Sequence, residues 1–322
     1  MCITKDHNGH ELIEEEDFNK GKVELKPKQK NVKIEIVKSY TTDLKHIHLI
    51  AVCSDGSMWI GDNERSTLQH VELKKNITEV ITSLSTKIYG IATTHSNNIL
   101  IKTKGETKLE LMNAMTGKIT DSIYDINPLK PTCIYVTSDH RVIIGAWSGG
   151  KAFPVSGRRV VVVMDQEGKH LQEYEHDKHY NKRIFTYPRC ISVTSNGNIF
   201  VVDHLDTDHR GRVVVLSPEG DILLIYNGHP GVNTKKDPFR PVGILTTQSD
   251  TTVITDMENH SLRILSDQGQ IITYFNLRDM GILGPYSLAL STSGTIYIGC
   301  VSADRSPDTK KAKLYELKYS GF

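Results

Sequence analysis

Six times along this chain a short apolar run stops at a polar loop, and the spacing of those stops constrains the fold more than any other feature. Aligned on the end of the second strand of each unit, the positions are Asp62 (SMWIGD), Thr103 (NILIKT), Ala146 (RVIIGA), Asp203 (NIFVVD), Asp256 (TTVITD) and Cys300 (TIYIGC). The intervals are 41, 43, 57, 53 and 44 residues. Turn chemistry precedes most of these strands, as in Ser54-Asp55-Gly56, Ser195-Asn196-Gly197 and Thr292-Ser293-Gly294, and a short apolar strand precedes the turn. A third strand, a turn of the Ser217-Pro218-Glu219-Gly220 kind and a fourth strand complete the unit. Four strands per unit, repeated at about 45 residues, is the pattern of a β-propeller.

The two ends of the repeat support closure. After Leu317 too few residues remain for a fourth strand, whereas Val32–Val37 alternates apolar and charged side chains and belongs to no unit. The reading is an all-β, six-bladed β-propeller of four-stranded antiparallel blades. Its ring is closed by the N-terminal strand pairing into the last blade, which leaves no open sheet edge. Residues 31–322 form this domain, and residues 1–30, polar and rich in both charge signs, form a flexible leader.

Composition narrows the function classes. A formal charge of +1 excludes a uniformly basic protein, and five widely spaced cysteines fit reduced thiols better than a disulfide framework. The longest apolar run is Val160–Met164, so no signal peptide or membrane span is expected, and a cytoplasmic chain is.

The unit Asp256-x2-Asn259-His260-x-Leu262-x-Ile264, with Gly269 at the following turn, resembles an NHL repeat. Near the N-terminus, Cys2-x4-His7-x2-His10-Glu11-Leu12 is similar to the last residues of a B-box zinc module. Together the two ends resemble the tripartite-motif NHL (TRIM-NHL) proteins. Three ligands cannot complete a B-box zinc site, so Cys2, His7 and His10 are read as a remnant that holds no zinc. With no RING in the sequence, the ubiquitin-ligase activity implied by that family is not expected here. No coiled-coil heptads are present, and a monomer without cofactors is expected.

Several local patterns carry chemistry on paper. Gly145-x4-Gly150-Lys151 approximates a phosphate loop but lacks the Ser/Thr and the following helix. Asp203-His204-Leu205-Asp206-Thr207-Asp208-His209 has metal-ligand residue types without the spacing of a known site. No nucleophile elbow occurs. A calcium-dependent lactonase-like propeller would need acidic groups converging on the channel, which Thr103, Ala146 and Cys300 do not supply. A non-enzymatic protein is therefore expected.

Binding is expected on the face that carries the long loops, since rigid scaffolds place function there. Those loops hold 24 Lys/Arg against 15 Asp/Glu, and aromatics lie among the cations. The candidate binding residues are Trp147, Lys151, Arg158, Lys182, Arg183, Tyr187, Arg189, Arg210, Lys235, Lys236, Phe239 and Arg240. Single-stranded or looped RNA is the first ligand class they point to. The alternative is a protein-interaction scaffold that captures partners for a ubiquitin-ligase family. Pro188 and Pro241 are read as rigid re-entry points into the next blade.

Overall fold

Middle strands that are apolar on both faces must be covered on both faces, and the architecture supplies that cover. The computed structural model describes residues 32–302 and 311–321, so Cys2, His7 and His10 lie outside the described residues. The first strand is β1 (Lys33–Thr41). A sheet of β2 (Leu49–Val52), β3 (Met58–Asp62), β4 (Thr67–Lys74) and β5 (Ile77–Ser85) follows. Next come β6 (Ile88–Thr93), β7 (Asn98–Thr103), β8 (Lys108–Asn113) and β9 (Ile119–Asp125). The third set is β10 (Lys130–Val136), β11 (Val142–Trp147), β12 (Arg159–Met164) and β13 (His170–Tyr174). The fourth is β14 (Pro188–Val193), β15 (Ile199–His204), β16 (Gly211–Leu216) and β17 (Ile222–Tyr226). The fifth is β18 (Pro241–Thr246), β19 (Thr252–Asp256), β20 (Ser261–Leu265) and β21 (Ile271–Asn276). The chain closes with β22 (Pro285–Leu290), β23 (Ile296–Cys300) and β24 (Lys313–Ser320).

Four of the five sheets are four-stranded and antiparallel. The fifth runs β2-β3-β4-β5-β1-β24-β23-β22, two antiparallel sets of four joined by one parallel bridge between Thr41 and Ile77. In it β1 pairs antiparallel with β24, Ile34 facing Tyr319 and Ile36 facing Leu317. The strands β2, β6, β10, β14, β18 and β22 touch one another in a closed circuit, β22 returning to β2. This all-β arrangement is that of a β-propeller.

Burial follows position in the sheet. Every residue of β12, β15, β19, β20 and β23 is buried, because neighbouring sheets cover both faces of these strands. That is why their sequences run apolar instead of alternating. Fourth strands such as β9 and β21 lie at the rim and expose alternate residues. The core is correspondingly divided: one cluster joins Ile143, Val161 and Val163 to Ile191, Val201 and Val214 of the next sheet. Another joins Tyr40 and Leu314 from the chain ends to Ile60 and Val71. Fully burying one such aliphatic side chain stabilises by roughly 1.5–3 kcal/mol, so each inter-sheet seam is held by many comparable contributions.

Candidate functional site

Each innermost strand begins with a break in its hydrogen-bond ladder. The register skips between Ile88 and Gly90, Pro131 and Cys133, Pro188 and Cys190, Pro241 and Ile244, and Pro285 and Ser287. Ahead of β2, the His48 N–H reaches the Gly61 carbonyl, although Gly61 is already the partner of Leu49. A bulge leaves one residue unpaired and turns its side chain. The residues so released are His48, Tyr89, Thr132, Arg189, Val242 and Tyr286, and all six line one cavity of about 100 Å³ where the innermost strands meet. Four of these breaks share a Pro-x-small triplet: Pro131-Thr132-Cys133, Pro188-Arg189-Cys190, Pro241-Val242-Gly243 and Pro285-Tyr286-Ser287. Proline has no N–H for the ladder and suits a strand's first position.

Two devices fix the bulges. Asp62, Asp203 and Asp256, at or next to the ends of second strands, accept backbone N–H groups of the connection entering the innermost strand. Asp62 takes His46 N–H at 3.1 Å, Asp203 takes Tyr187 N–H at 2.7 Å and Asp256 takes Arg240 N–H at 3.3 Å. Each of these N–H groups lies two residues before a cavity residue. The second device is close packing of small residues. A Cβ on Gly243 would stand 2.2 Å from the Tyr286 carbonyl oxygen and 2.9 Å from Thr255 Oγ1. Gly243→Ala must therefore displace the backbone that carries Tyr286. A stability loss of about 1–3 kcal/mol is expected, together with a change in whatever the cavity does. Equilibrium denaturation checks the first, and an unchanged midpoint would show that this contact is not tight.

The polar groups of the cavity converge on Arg189. Its Nη2 donates to the Tyr286 hydroxyl at 2.9 Å, and the Tyr286 ring meets the His48 ring edge-on at 4.8 Å. The phenol oxygen and neighbouring groups hold the Arg189 guanidinium more firmly protonated than usual. His48 Nδ1 accepts the Asn63 N–H at 3.2 Å, which leaves the proton on Nε2. That nitrogen lies 4.0 Å from Glu64 Oε1, and the other carboxylate oxygen, Oε2, stands 3.4 Å from His46 Nε2. Behind Arg189, His204 Nε2 donates to the Pro241 carbonyl at 2.9 Å, and its Nδ1 faces His209 Nδ1 at 3.4 Å.

Burial keeps the His48 and His204 imidazoles neutral. His48 is pushed down to about 4 and His204 to about 3, by desolvation first and with Arg189's charge adding in the same direction. An unfolded histidine takes up its proton near 6.5, so between pH 6.5 and 4 the unfolded chain binds more protons than the folded one. Stability is therefore intact above pH 6.5 and falls as the pH is lowered through that window. At about 1.4 kcal/mol per pH unit for each histidine, the combined loss reaches several kcal/mol. Denaturation midpoints at pH 7.5 and 4.5 should differ accordingly, and a His48→Gln/His204→Gln variant should show a flatter profile. Parallel profiles would remove both histidines from the account.

The residues expected from sequence are distributed unequally around this centre. Arg189 is in it. Tyr187 and Trp147 form an edge-on pair at 5.7 Å beside it. Phe239 is buried against Tyr226, a core contact. Arg158 pairs with Glu173 and Glu175, each at 2.7 Å, and Arg210 pairs with Asp206. Arg183 and Arg240 donate to the carbonyls of Gly157 and Asp208. Lys151, Lys235 and Lys236 are exposed, and Lys182 is half-buried. The glycine-rich stretch after β11 has a polarity opposite to that of a phosphate loop. Carbonyls of Lys151, Ala152, Ser156 and Thr186 turn inward onto the buried Arg159 guanidinium, whose cation also stands over Trp147. Tyr286, His48 and Tyr89 were not among the expected residues, although the Pro-x-small register would have located Tyr286 beside Arg189.

No family model matches the chain, and no curated protein does. Solved structures are similar to it. A PQQ-bound aldose sugar dehydrogenase from Streptomyces coelicolor superposes with a TM-score of 0.64 at 11% identity, over 91% of this chain and 100% of that one. A gluconolactonase from Xanthomonas campestris gives 0.62 at 10%, over 91% of each. A virginiamycin B lyase from Staphylococcus aureus gives 0.53 at 16%, over 89% and 99%. At such identities the likeness shows the fold.

These findings correct the identity read from the sequence. The similar propellers carry the names of a lactonase, a sugar dehydrogenase and a lyase, and the tripartite-motif NHL assignment, with its B-box remnant, does not stand. The expectation of a non-enzymatic module binding RNA, or serving as a protein scaffold for a ubiquitin-ligase family, is corrected with it. The physical reason lies in the residues that carried the resemblance. Asn259 Nδ2 is spent on Asp256 at 2.9 Å and on the Pro238 carbonyl, and His260 Nδ1 accepts the Gly284 N–H at 3.1 Å. In this chain they brace the connections that lead into β18 and β22.

Proposed function

We propose that this chain is an enzyme, a six-bladed propeller that opens a cyclic ester of a small sugar acid at the mouth of its central channel. The blade count takes the eight-stranded sheet as two blades, one for each of the innermost strands β2 and β22. The observation that carries the reading is the Arg189–Tyr286 contact at 2.9 Å inside the ring of bulge residues. Charge that develops on a carbonyl oxygen is stabilised most by a preorganised donor in a partly dry site, and Arg189 is such a donor. Tyr286, held by that guanidinium, gives its hydroxyl proton to the departing ring oxygen. Glu64 takes a proton from the attacking water, and His48 offers its Nε2–H to the substrate. The names of the similar lactonase and sugar dehydrogenase favour an oxygen-rich ring as substrate.

The test is acid release from a panel of γ- and δ-aldonolactones, followed at constant pH with the purified chain. Turnover above the spontaneous rate, lowered by about 10²–10³-fold in Arg189→Met, is the expected result. Turnover that Arg189→Met leaves unchanged, or none across the panel, would overturn the proposal.

A further inference from the structure

We propose that the ligand of this channel carries a second anionic group, a phosphate or a remote carboxylate, held beside Tyr89 by Lys102 and Lys104. This rests on the reading of Arg189 as the first anchor.

Lys102 occupies the position of β7 at which β3, β11 and β23 have Gly61, Gly145 and Gly299. In those three blades the residue facing the glycine is Leu49, Cys133 or Ser287, and a side chain there leaves little room: a Cβ on Gly145 would stand 2.6 Å from Cys133 Sγ. In the second blade the sizes are exchanged. Gly90 faces Lys102, and the lysine stem lies along its bare backbone, 3.5 Å from where a Gly90 Cβ would be. The amine ends 5.5 Å from the centroid of the Tyr89 ring, and the Lys104 amine lies 5.7 Å from the same ring. Tyr89 itself lines the cavity. One blade thus presents an aromatic face flanked by two cations at the edge of the site.

Among the described residues no carboxylate pairs with these charges. Among the described residues neither Lys102, Lys104 nor Arg189 forms a salt bridge, whereas Lys108, Arg158, Arg210 and Arg212 each do. Burial pushes the Lys102 amine down to about 8, and the Arg189 charge adds to that shift. Two cations that disfavour each other, one lining the cavity and one behind its Tyr89 wall, are relieved by a ligand whose negative groups reach both. Arg189 on β14 and Lys102 on β7 belong to blades separated by the β10–β13 blade, so the relieving ligand carries its negative groups at two ends.

Equilibrium dialysis at low salt would compare gluconate, 6-phosphogluconate and inorganic phosphate as probes. The proteins are the full chain, Lys102→Met/Lys104→Met and Arg189→Met. The full chain is expected to bind 6-phosphogluconate at least about tenfold more tightly than gluconate, a single charge-assisted contact's worth of discrimination. In Lys102→Met/Lys104→Met the ratio should fall to near one while gluconate affinity is unchanged, and Arg189→Met should weaken both sugar acids. A ratio near one in the full chain, or one that survives loss of both lysines, overturns the inference. So does inorganic phosphate that binds as tightly as 6-phosphogluconate, since the two-ended ligand would then gain nothing. Lactone turnover that still depends on Arg189 would leave the parent reading standing in each of these cases. Its absence would remove both.

Discussion

Tyr286→Phe is expected to lower lactone turnover by about 10²–10⁴-fold with little change in stability, the range over which a positioned acid or base contributes to rate. The substitution removes one oxygen. The ring that meets His48 at 4.8 Å stays, and so does the backbone carbonyl against which Gly243 packs. What disappears is the acceptor of the Arg189 Nη2 hydrogen bond and, in the proposed reaction, the proton for the leaving oxygen. Because that interaction matters in the transition state, kcat should fall with KM nearly unchanged. Arg189→Lys separates the two partners. It keeps a cation but loses the planar fork that reaches the phenol and the substrate together, so kcat and KM should both worsen. Equal loss in KM alone for both variants would show that the pair binds substrate without taking part in the chemistry.

The largest effect on stability is expected at a different buried group. Asp256 and Arg263 are both fully buried and joined at 3.1 Å. Asp256 also accepts from Asn259 Nδ2 at 2.9 and 3.0 Å, from Asn233 Nδ2 at 3.1 Å and from the Arg240 N–H at 3.3 Å. Arg263 donates its Nη2 to the Asn233 amide oxygen at 3.1 Å as well as to Asp256, and its guanidinium stands 5.3 Å from the centroid of the Tyr274 ring. Asp256→Ala leaves a buried guanidinium without its anion and releases the connection into β18. A loss of about 3–5 kcal/mol is expected. Arg263→Met should cost less, because the carboxylate keeps its other donors, and Asp256→Asn/Arg263→Met should recover much of the loss. Chemical denaturation of the three variants decides the matter. If Arg263→Met proves as costly as Asp256→Ala, the carboxylate's backbone and amide bonds are not what holds that loop.

Much of the architecture is legible in the chain. The second-strand ends read as Asp62, Thr103, Asp256 and Cys300 are the ends observed, and those read as Ala146 and Asp203 fall one residue short. Local chemistry explains this success: β-branched runs and Gly-containing turns are set by neighbours in sequence. The bonds from Asp62, Asp203 and Asp256 to backbone of their own blades are likewise local in the chain. The site is not. Arg189 was visible as one cation among many, and nothing in the linear order marks it off from Arg158 or Arg210. Those two are neutralised by Glu173, Glu175 and Asp206, partners that a sum of loop charges counts but cannot pair.

By itself the sequence determined the repeat, the four-strand unit, the turns and the spare first strand that completes the three-stranded last unit. Each depends on side-chain period and turn preference within a few tens of residues. Only the tertiary structure decided which residues share the channel. His48, Tyr89, Arg189 and Tyr286 are separated by 41, 100 and 97 positions, and they meet because each sits at the bulge of an innermost strand. A bulge shifts the side-chain alternation by one residue, so whether a side chain faces the axis or the neighbouring sheet is set by inter-strand register.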